Sequence, residues 1–195
     1  ITGGMDIHAL DKAIAEDLEN GYTPFFVVGL SGTTVLGSFD DQAAIAAIAK
    51  KYNIWHHIDA CWGGFLNWAD ESQKGDLFKG VEQADSIAFN PHKGWGVPQQ
   101  CASIITNGHK NALLAANKSC AEYLFVESSP TADYDIGDKT LQCGRRADGI
   151  KLYLTLKKHG FDGVRRIANN SLYLARYVTG QLNAHPRFEM VNQPM

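Results

Sequence analysis

Three clusters in this chain hold residue types able to do covalent chemistry: Thr33-Thr34, Asp59, and Asn90-Pro91-His92-Lys93. A lysine amine held close to a sheet end and partly desolvated can form a Schiff base with a carbonyl compound. A carboxylate such as Asp59, set against a pyridine-type nitrogen, would keep that nitrogen protonated and make the ring an electron sink. With small hydroxyl residues beside them, the lysine and the carboxylate form a candidate cofactor site. The plain alternative is a solvated Lys93 and an Asp59 that only caps a helix, and spacing alone leaves both readings open.

These clusters need elements that bring them together. A helix-like stretch, Asp6–Asn20, is closed by Asn20-Gly21. Pro24–Leu30 is a continuous apolar run of strand length, the pattern of a parallel strand buried on both faces. The small-residue turn Ser31–Thr34 follows. Asp40 or Asp41 then caps a helix whose Ile45, Ile48, Ala49 and Tyr52 recur at helical spacing. In the next strand, Ile54–Asp59, period two puts Trp55, His57 and Asp59 on one face. A helix is predicted over Gln73–Gln83, a strand over Asp85–Asn90, a short strand over Gln100–Thr106 and a short helix over His109–Asn117.

Strand and helix alternating at intervals of about 30 residues is the rhythm of an α/β fold with a mainly parallel sheet flanked by helices. Ligands of such sheets sit at the carboxyl ends of the strands. All three clusters follow a predicted strand there. From Ser119 to Gly144 the pattern becomes irregular, and a loop of that length is usually functional or mobile. Two helices follow. Ile150–Lys158 is apolar on two sides, and Phe161–Asn183 carries a single stripe of Val164, Ile167, Ala168, Ala175, Val178 and Leu182. His185–Val191 reads as the entry to another strand.

Composition narrows the function. The 195 residues are 45% hydrophobic, and 18 basic against 21 acidic residues give a net charge of −3. Without a basic stripe, nucleic-acid binding by bulk electrostatics is excluded. The longest apolar run is about a third of a membrane span, so no span is expected. With no export signal the expected location is cytoplasmic. The four cysteines, Cys61, Cys101, Cys120 and Cys143, are then read as free thiols. No CxxC occurs, and His56-His57 lacks a second ligand pair, so no metal is expected.

His57-Ile58-Asp59-Ala60-Cys61-Trp62-Gly63-Gly64 followed by Asn90-Pro91-His92-Lys93 resembles the group II pyridoxal-phosphate-dependent amino acid decarboxylases. Gly32-Thr33-Thr34, Gly37-Ser38-Phe39-Asp40, Gln100-Cys101, Tyr123-Leu124-Phe125, Tyr134-Asp135, Gly137-Asp138-Lys139 and Gln142-Cys143-Gly144-Arg145-Arg146 fit in the same order. The Gln-Cys pair and the Gly-Asp-Lys segment resemble the branch of glutamate decarboxylase and cysteine sulfinate decarboxylase.

The resemblance implies a fold-type-I, aspartate aminotransferase-like enzyme with pyridoxal 5'-phosphate as cofactor. Lys93 would anchor the cofactor covalently, and Asp59 would pair with its ring nitrogen. Cys61 would lie under the ring, Thr34 near its phenolic oxygen or the substrate carboxylate, and Asn90 and His92 beside the phosphate and the anchor. Lys93, Asp59 and His92 are the implied catalytic residues, with His57 in support and Arg145 and Arg146 in structural or subunit contacts. The implied assembly is a homodimer with its active site at the interface, and the implied substrate is a small acidic amino acid. L-Glutamate, converted to 4-aminobutanoate, leads; cysteine sulfinate or aspartate is the alternative. A truncated, non-catalytic homologue acting only as a binding partner is the rival from another class.

The family's mobile loop maps onto Val126–Asp135, with Pro130 standing where that branch usually presents a tyrosine, and with Tyr134 four residues on. Residues 1–183 are expected to be the central part of the large cofactor-binding domain, and 184–195 the start of a truncated small domain, the chain being a fragment of a longer protein.

Overall fold

The computed structural model describes residues 3–109, 111–118, 130, 134–142 and 144–192. The chain divides into two compact units, one of Ile1–Ile105 with Asp148–Met195 and one of Thr106–Ala147.

The larger unit opens with α1 (Ile7–Glu19), started by Asp6, whose carboxylate accepts the amides of His8 and Ala9 at 2.9 and 3.0 Å. Then come β1 (Phe26–Leu30), α2 (Gln42–Tyr52), β2 (Trp55–Ala60), the single turn α3 (Glu71–Lys74), β3 (Ser86–Phe89), the single turn α4 (Pro91–Gly94) and β4 (Ser103–Thr106). The four strands form one sheet in the order β1-β2-β3-β4. β1 pairs with β2, and β2 with β3, in parallel, with Leu30 opposite Asp59 and Asp59 opposite Ala88. The smaller unit contains α5 (Ala112–Asn117) and a 3₁₀ turn at Gly137–Lys139. α6 (Asp148–Asn183) belongs to the larger unit and is broken at Gly160, whose φ of 63° leaves the helical region. The break falls between the two helices predicted from sequence.

Of the two candidate caps for α2, Asp41 does the capping, accepting the Ala44 amide at 3.0 Å. Asp40 instead turns inward and accepts the amides of Met5 and Leu30, both at 2.7 Å. It thereby pins the lead-in to α1 against the carboxyl end of β1. Ile14, Val27, Ile45, Ile48, Ala49 and Ile54 form the core under α1 and α2. A second core of Phe65, Phe89, Trp95, Val97, Cys101, Val164, Ala168 and Leu172 joins α6 to the chain around α4. Burial of each large apolar side chain contributes about 1.5–3 kcal/mol.

Three expectations are corrected. β1 is not buried on both faces: Val27 and Gly29 are covered, whereas Phe26 is 46% and Val28 36% exposed. β1 lies at one edge of the four, and α1 and α2 pack on the side that carries Val27. The helix predicted over Gln73–Gln83 is instead α3 and two 3₁₀ turns, Gly75–Phe78 and Val81–Gln83, because Gly75 and Gly80 sit at positive φ. The predicted apolar stripe of the last helix is buried at Val164 and Ala168 but exposed at Ala175 and Val178, and Leu172, outside that stripe, is buried in the second core instead. The irregular 119–144 stretch falls mostly outside the described residues, as do Cys120 and Cys143. Of Val126–Asp135, Pro130, Tyr134 and Asp135 are described, all exposed. Among the described residues no helix is long and apolar enough to cross a membrane.

A buried polar knot ties α2 to the sheet. Gln42 donates to the Leu30 carbonyl at 3.0 Å and to Ser31 Oγ at 3.2 Å, and its Oε1 lies 3.1 Å from His56 Nε2. Gln42→Ala should therefore destabilise the protein by about 1–3 kcal/mol for each buried group left unpaired, read as a shift in the denaturant midpoint. An unchanged midpoint would remove Gln42 from the fold's polar bracing.

Burial lowers the pKa of both His56 and His57 from 6.5, with Asp85 opposing the fall at His56 and Asp59 opposing it at His57. Just below that value the unfolded chain binds more protons than the folded one. The stability these histidines contribute is present above about 6.5 and is lost as pH falls through their folded values. Chemical denaturation at pH 7 and pH 5.5 should show the lower midpoint at pH 5.5, with a smaller drop in His56→Gln; equal drops would refute this linkage.

Candidate active site

Backbone contacts bring the ends of β1 and β2 into register before any side chain is considered. The Ser31 amide donates to the Asp59 carbonyl at 2.9 Å, continuing the ladder past β1. Immediately beyond, Gly32 lies against Gly63: a Cβ on Gly32 would come within 2.5 Å of the Gly63 Cα, and one on Gly63 within 2.5 Å of the Ser31 carbonyl oxygen. Gly32 also has φ +85°, open to glycine at little cost. The Thr33-Thr34 turn is thereby pressed onto the loop that follows Asp59. Thr33 Oγ1 lies 2.8 Å from Ser38 Oγ and accepts the Ser38 amide at 3.0 Å, so it holds the turn together. Thr34 is exposed at its tip.

Asp59 is half-buried, and its Oδ1 accepts the Cys61 amide at 2.9 Å. Burial pushes the Cys61 thiol up to about 11, the Asp59 carboxylate adding to the rise and the Lys93 ammonium opposing it. The thiol is therefore neutral near pH 7, with a carboxylate and an amine both near enough to act on it.

Lys93 rides on α4, the turn that follows β3. Asn90 caps this turn and Pro91 occupies its first position, where proline's fixed φ suits a helix start. Trp95, at its end, is buried edge-on between Trp68 and Phe89, with ring centroids 4.6 and 4.9 Å away. Gly94 lies so close to Phe65 that no Cβ fits. These contacts hold the turn, while the Lys93 side chain itself is exposed. The partial desolvation expected for this lysine is thus absent in the chain, because the packing is all on the Trp95 side. His92 Nδ1 lies 2.6 Å from the Cys101 carbonyl oxygen and 3.1 Å from its amide, so the imidazole fastens α4 to the segment before β4. Asn90 is half-buried and makes no side-chain capping bond.

The structure thus brings Asp59, Cys61 and Lys93 together and sets Thr34 on the adjoining turn. Tyr134 and Pro130 lie in the smaller unit. Sequence reasoning missed Ser86, buried and bonded to both Trp55 and His57; its signal was its place at the head of the third predicted strand. Two surface clefts, of about 770 and 600 Å³, lie elsewhere, beside α6 and beside α3, and include neither Asp59 nor Lys93. Among the described residues no group of three or more His, Cys, Asp or Glu side chains could hold a metal ion.

A parallel sheet that delivers a carboxylate from one strand end and a lysine from the next is the α/β arrangement of a fold-type-I pyridoxal enzyme. Residues 2–195 match the family described as the pyridoxal-dependent decarboxylase conserved domain, and the chain belongs to that family. It is 38% identical over 192 residues to human cysteine sulfinic acid decarboxylase, covering 94% of this chain and 38% of the relative. It is 39% identical over 194 residues to glutamate decarboxylase of Drosophila melanogaster, covering 98% of this chain and 38% of the relative. Among solved structures, the apo form of mouse CSAD superposes with a TM-score of 0.90 at 34% identity, covering 99% of this chain and 40% of that one. Oryza sativa TDC with PLP and tryptamine gives 0.87 at 25% identity, covering 100% and 39%. The chain spans about two fifths of the length of these relatives.

The residues present fit a pyridoxal group. The Lys93 amine is exposed and available to a carbonyl carbon, and the Asp59 carboxylate is held by the Cys61 amide. Two residues after Asp59 stands the small thiol of Cys61, pushed up to about 11 chiefly by burial and so uncharged near pH 7.

Proposed function

We propose that this chain is the central part of the large domain of an acidic amino acid decarboxylase, residues 1–183, with 184–195 opening a smaller domain. The reaction we favour is L-glutamate to 4-aminobutanoate and carbon dioxide, in a homodimer whose active site lies at the subunit interface. The observation that carries this reading is that Asp59 at the end of β2 and Lys93 just after β3 stand at the carboxyl ends of two paired parallel strands, in a chain of this family.

Bound pyridoxal phosphate would supply an electron sink for the pair left when the substrate's carboxylate departs as carbon dioxide. The roles read for the chain's own residues are those the family resemblance implies, and their placement is compatible with them. Lys93 would hold the cofactor through its amine. Asp59 holds a proton on the ring nitrogen, and the Cys61 amide keeps that carboxylate aimed. Cys61 offers a neutral, compact surface to the ring, and Thr34 offers a hydroxyl at its edge. His92, through Cys101, fixes the turn that presents Lys93, and Asn90 starts that turn.

Cysteine sulfinate is the second reading, supported by the likeness to mouse CSAD and the human relative. Carbon dioxide release by the full-length protein, loaded with pyridoxal phosphate, should give its highest kcat/KM with glutamate. A higher value with cysteine sulfinate or aspartate would transfer the assignment to that substrate. No release from any of the three would favour a non-catalytic binding partner.

A further inference from the structure

The short stretch after α4 is held between two helices by contacts that the roles above leave unused. Pro98, Gln99 and Gln100 are exposed, so burial does little to fix them, whereas Cys101 is buried in the second core. Cys101 meets both helices. Its carbonyl oxygen and amide lie 2.6 and 3.1 Å from His92 Nδ1 on α4, and its thiol is 3.8 Å from the Asp148 carbonyl oxygen at the start of α6. The residue before it is held from α6 as well: Lys151 Nζ donates to the Gln100 carbonyl. The same ammonium lies 2.7 Å from Asp148 Oδ1, one turn back on the helix, and both side chains are half-buried. Hydrogen bonds with a charged donor are the stronger ones in proteins. An unbroken run of contacts therefore leads from Asp148 and Lys151, through Gln100 and Cys101, to His92, the residue beside Lys93. α4 is a single turn and the Lys93 side chain is exposed, so the direction of the amine is set by the turn that carries it.

We propose that Lys151 is a positioning residue for Lys93: fixed by Asp148, its ammonium clamps the Gln100 carbonyl, and the Gln100-Cys101 stretch in turn holds His92 and the turn that presents the lysine. This rests on the reading of Lys93 given above. It extends that reading to the head of α6, far along the chain, where no residue touches the candidate site directly.

The test uses the full-length protein. Lys151→Met keeps the apolar stem and removes the amine, whereas Lys151→Arg keeps a cation that can reach both partners. In Lys151→Met, kcat should fall about tenfold with the substrate KM little changed, the pattern of a lost transition-state interaction. Capture of pyridoxal phosphate by Lys93 on apoprotein, fixed with borohydride and read by peptide mapping, needs no turnover, and its rate should also fall about tenfold. Lys151→Arg should restore both to within about threefold, the guanidinium being a cation of different shape. Added to His92→Ala, Lys151→Met should cost less than it does alone, because the two act along one path. Asp148→Asn keeps the carbonyl that Cys101 meets and should lower both rates about threefold, the effect of a weakened ion pair. If Lys151→Met does not fold, an Asp148→Asn protein with both rates unchanged overturns the proposal. A Lys151→Met protein with a lowered denaturant midpoint but unchanged kcat and capture rate would also overturn it, as would full additivity with His92→Ala. If borohydride fixes the cofactor on another lysine of the wild type, it is the reading of Lys93 that fails. A label on Lys93 beside a silent Lys151→Met defeats the clamp alone.

Discussion

Lys93→Ala in the full-length protein should abolish turnover, lowering kcat by at least about a thousandfold, or about 4 kcal/mol of barrier at 1.4 kcal/mol per tenfold. The size follows from the role proposed for the residue, anchoring the cofactor through its amine, since alanine has no amine to offer. The fold should survive, because the Lys93 side chain is exposed and α4 is held by Trp95, Pro91 and the His92 bond to Cys101. Borohydride reduction of the wild-type protein, followed by peptide mapping, should place the cofactor's mass on the peptide containing Lys93. A label on another lysine, or near-normal turnover in Lys93→Ala, would end this assignment.

Asp59→Asn should keep the site's shape and lose its charge. Asparagine still offers an oxygen to the Cys61 amide, so the loop after β2 should stay in place and part of the cofactor should still bind. A neutral partner cannot hold the ring nitrogen protonated, so decarboxylation should fall by about two to three powers of ten, about 3–4 kcal/mol of barrier. A second readout needs no cofactor. Since the Asp59 carboxylate helps raise the Cys61 thiol to about 11, Asp59→Asn should lower it. The pH dependence of Cys61 alkylation measures this directly. An unmoved alkylation profile would mean that the carboxylate and thiol are not neighbours, and unchanged turnover would remove Asp59 from the chemistry.

The parts of the site legible in the sequence are those set by local rules. Strand alternation put Trp55, His57 and Asp59 on one face because side-chain direction reverses at every residue of a strand. Asn90-Pro91 announced a chain turning from strand to helix, and the structure has Pro91 at the first position of α4. What was not legible depends on neighbours distant in sequence. The apolar run of β1 says that the strand can be buried, not which sheet face receives a helix. The exposure of Phe26 and Val28 therefore could not be read from the run itself. Likewise, the exposure of Lys93 depends on Trp95 and Gly94 taking the inner positions, a matter of how α4 rolls against Phe65. Over Gln73–Gln83 the helical pattern was real, but Gly75 and Gly80 divide it.

The contact between Gly32 and Gly63 bears on how this protein can change over generations. Neither glycine has chemistry of its own, yet any side chain on one would run into the backbone of the other. Making room for a side chain at either position needs the two loops to move apart. A lineage leaving this pair would have to cross an intermediate in which the strand ends have already parted. The two positions thus form a valley in the mutational landscape, closed to gradual drift. Their neighbours Thr34 and Cys61 have side chains that can be exchanged one at a time, which leaves the chemistry open to retuning on a frame that is not.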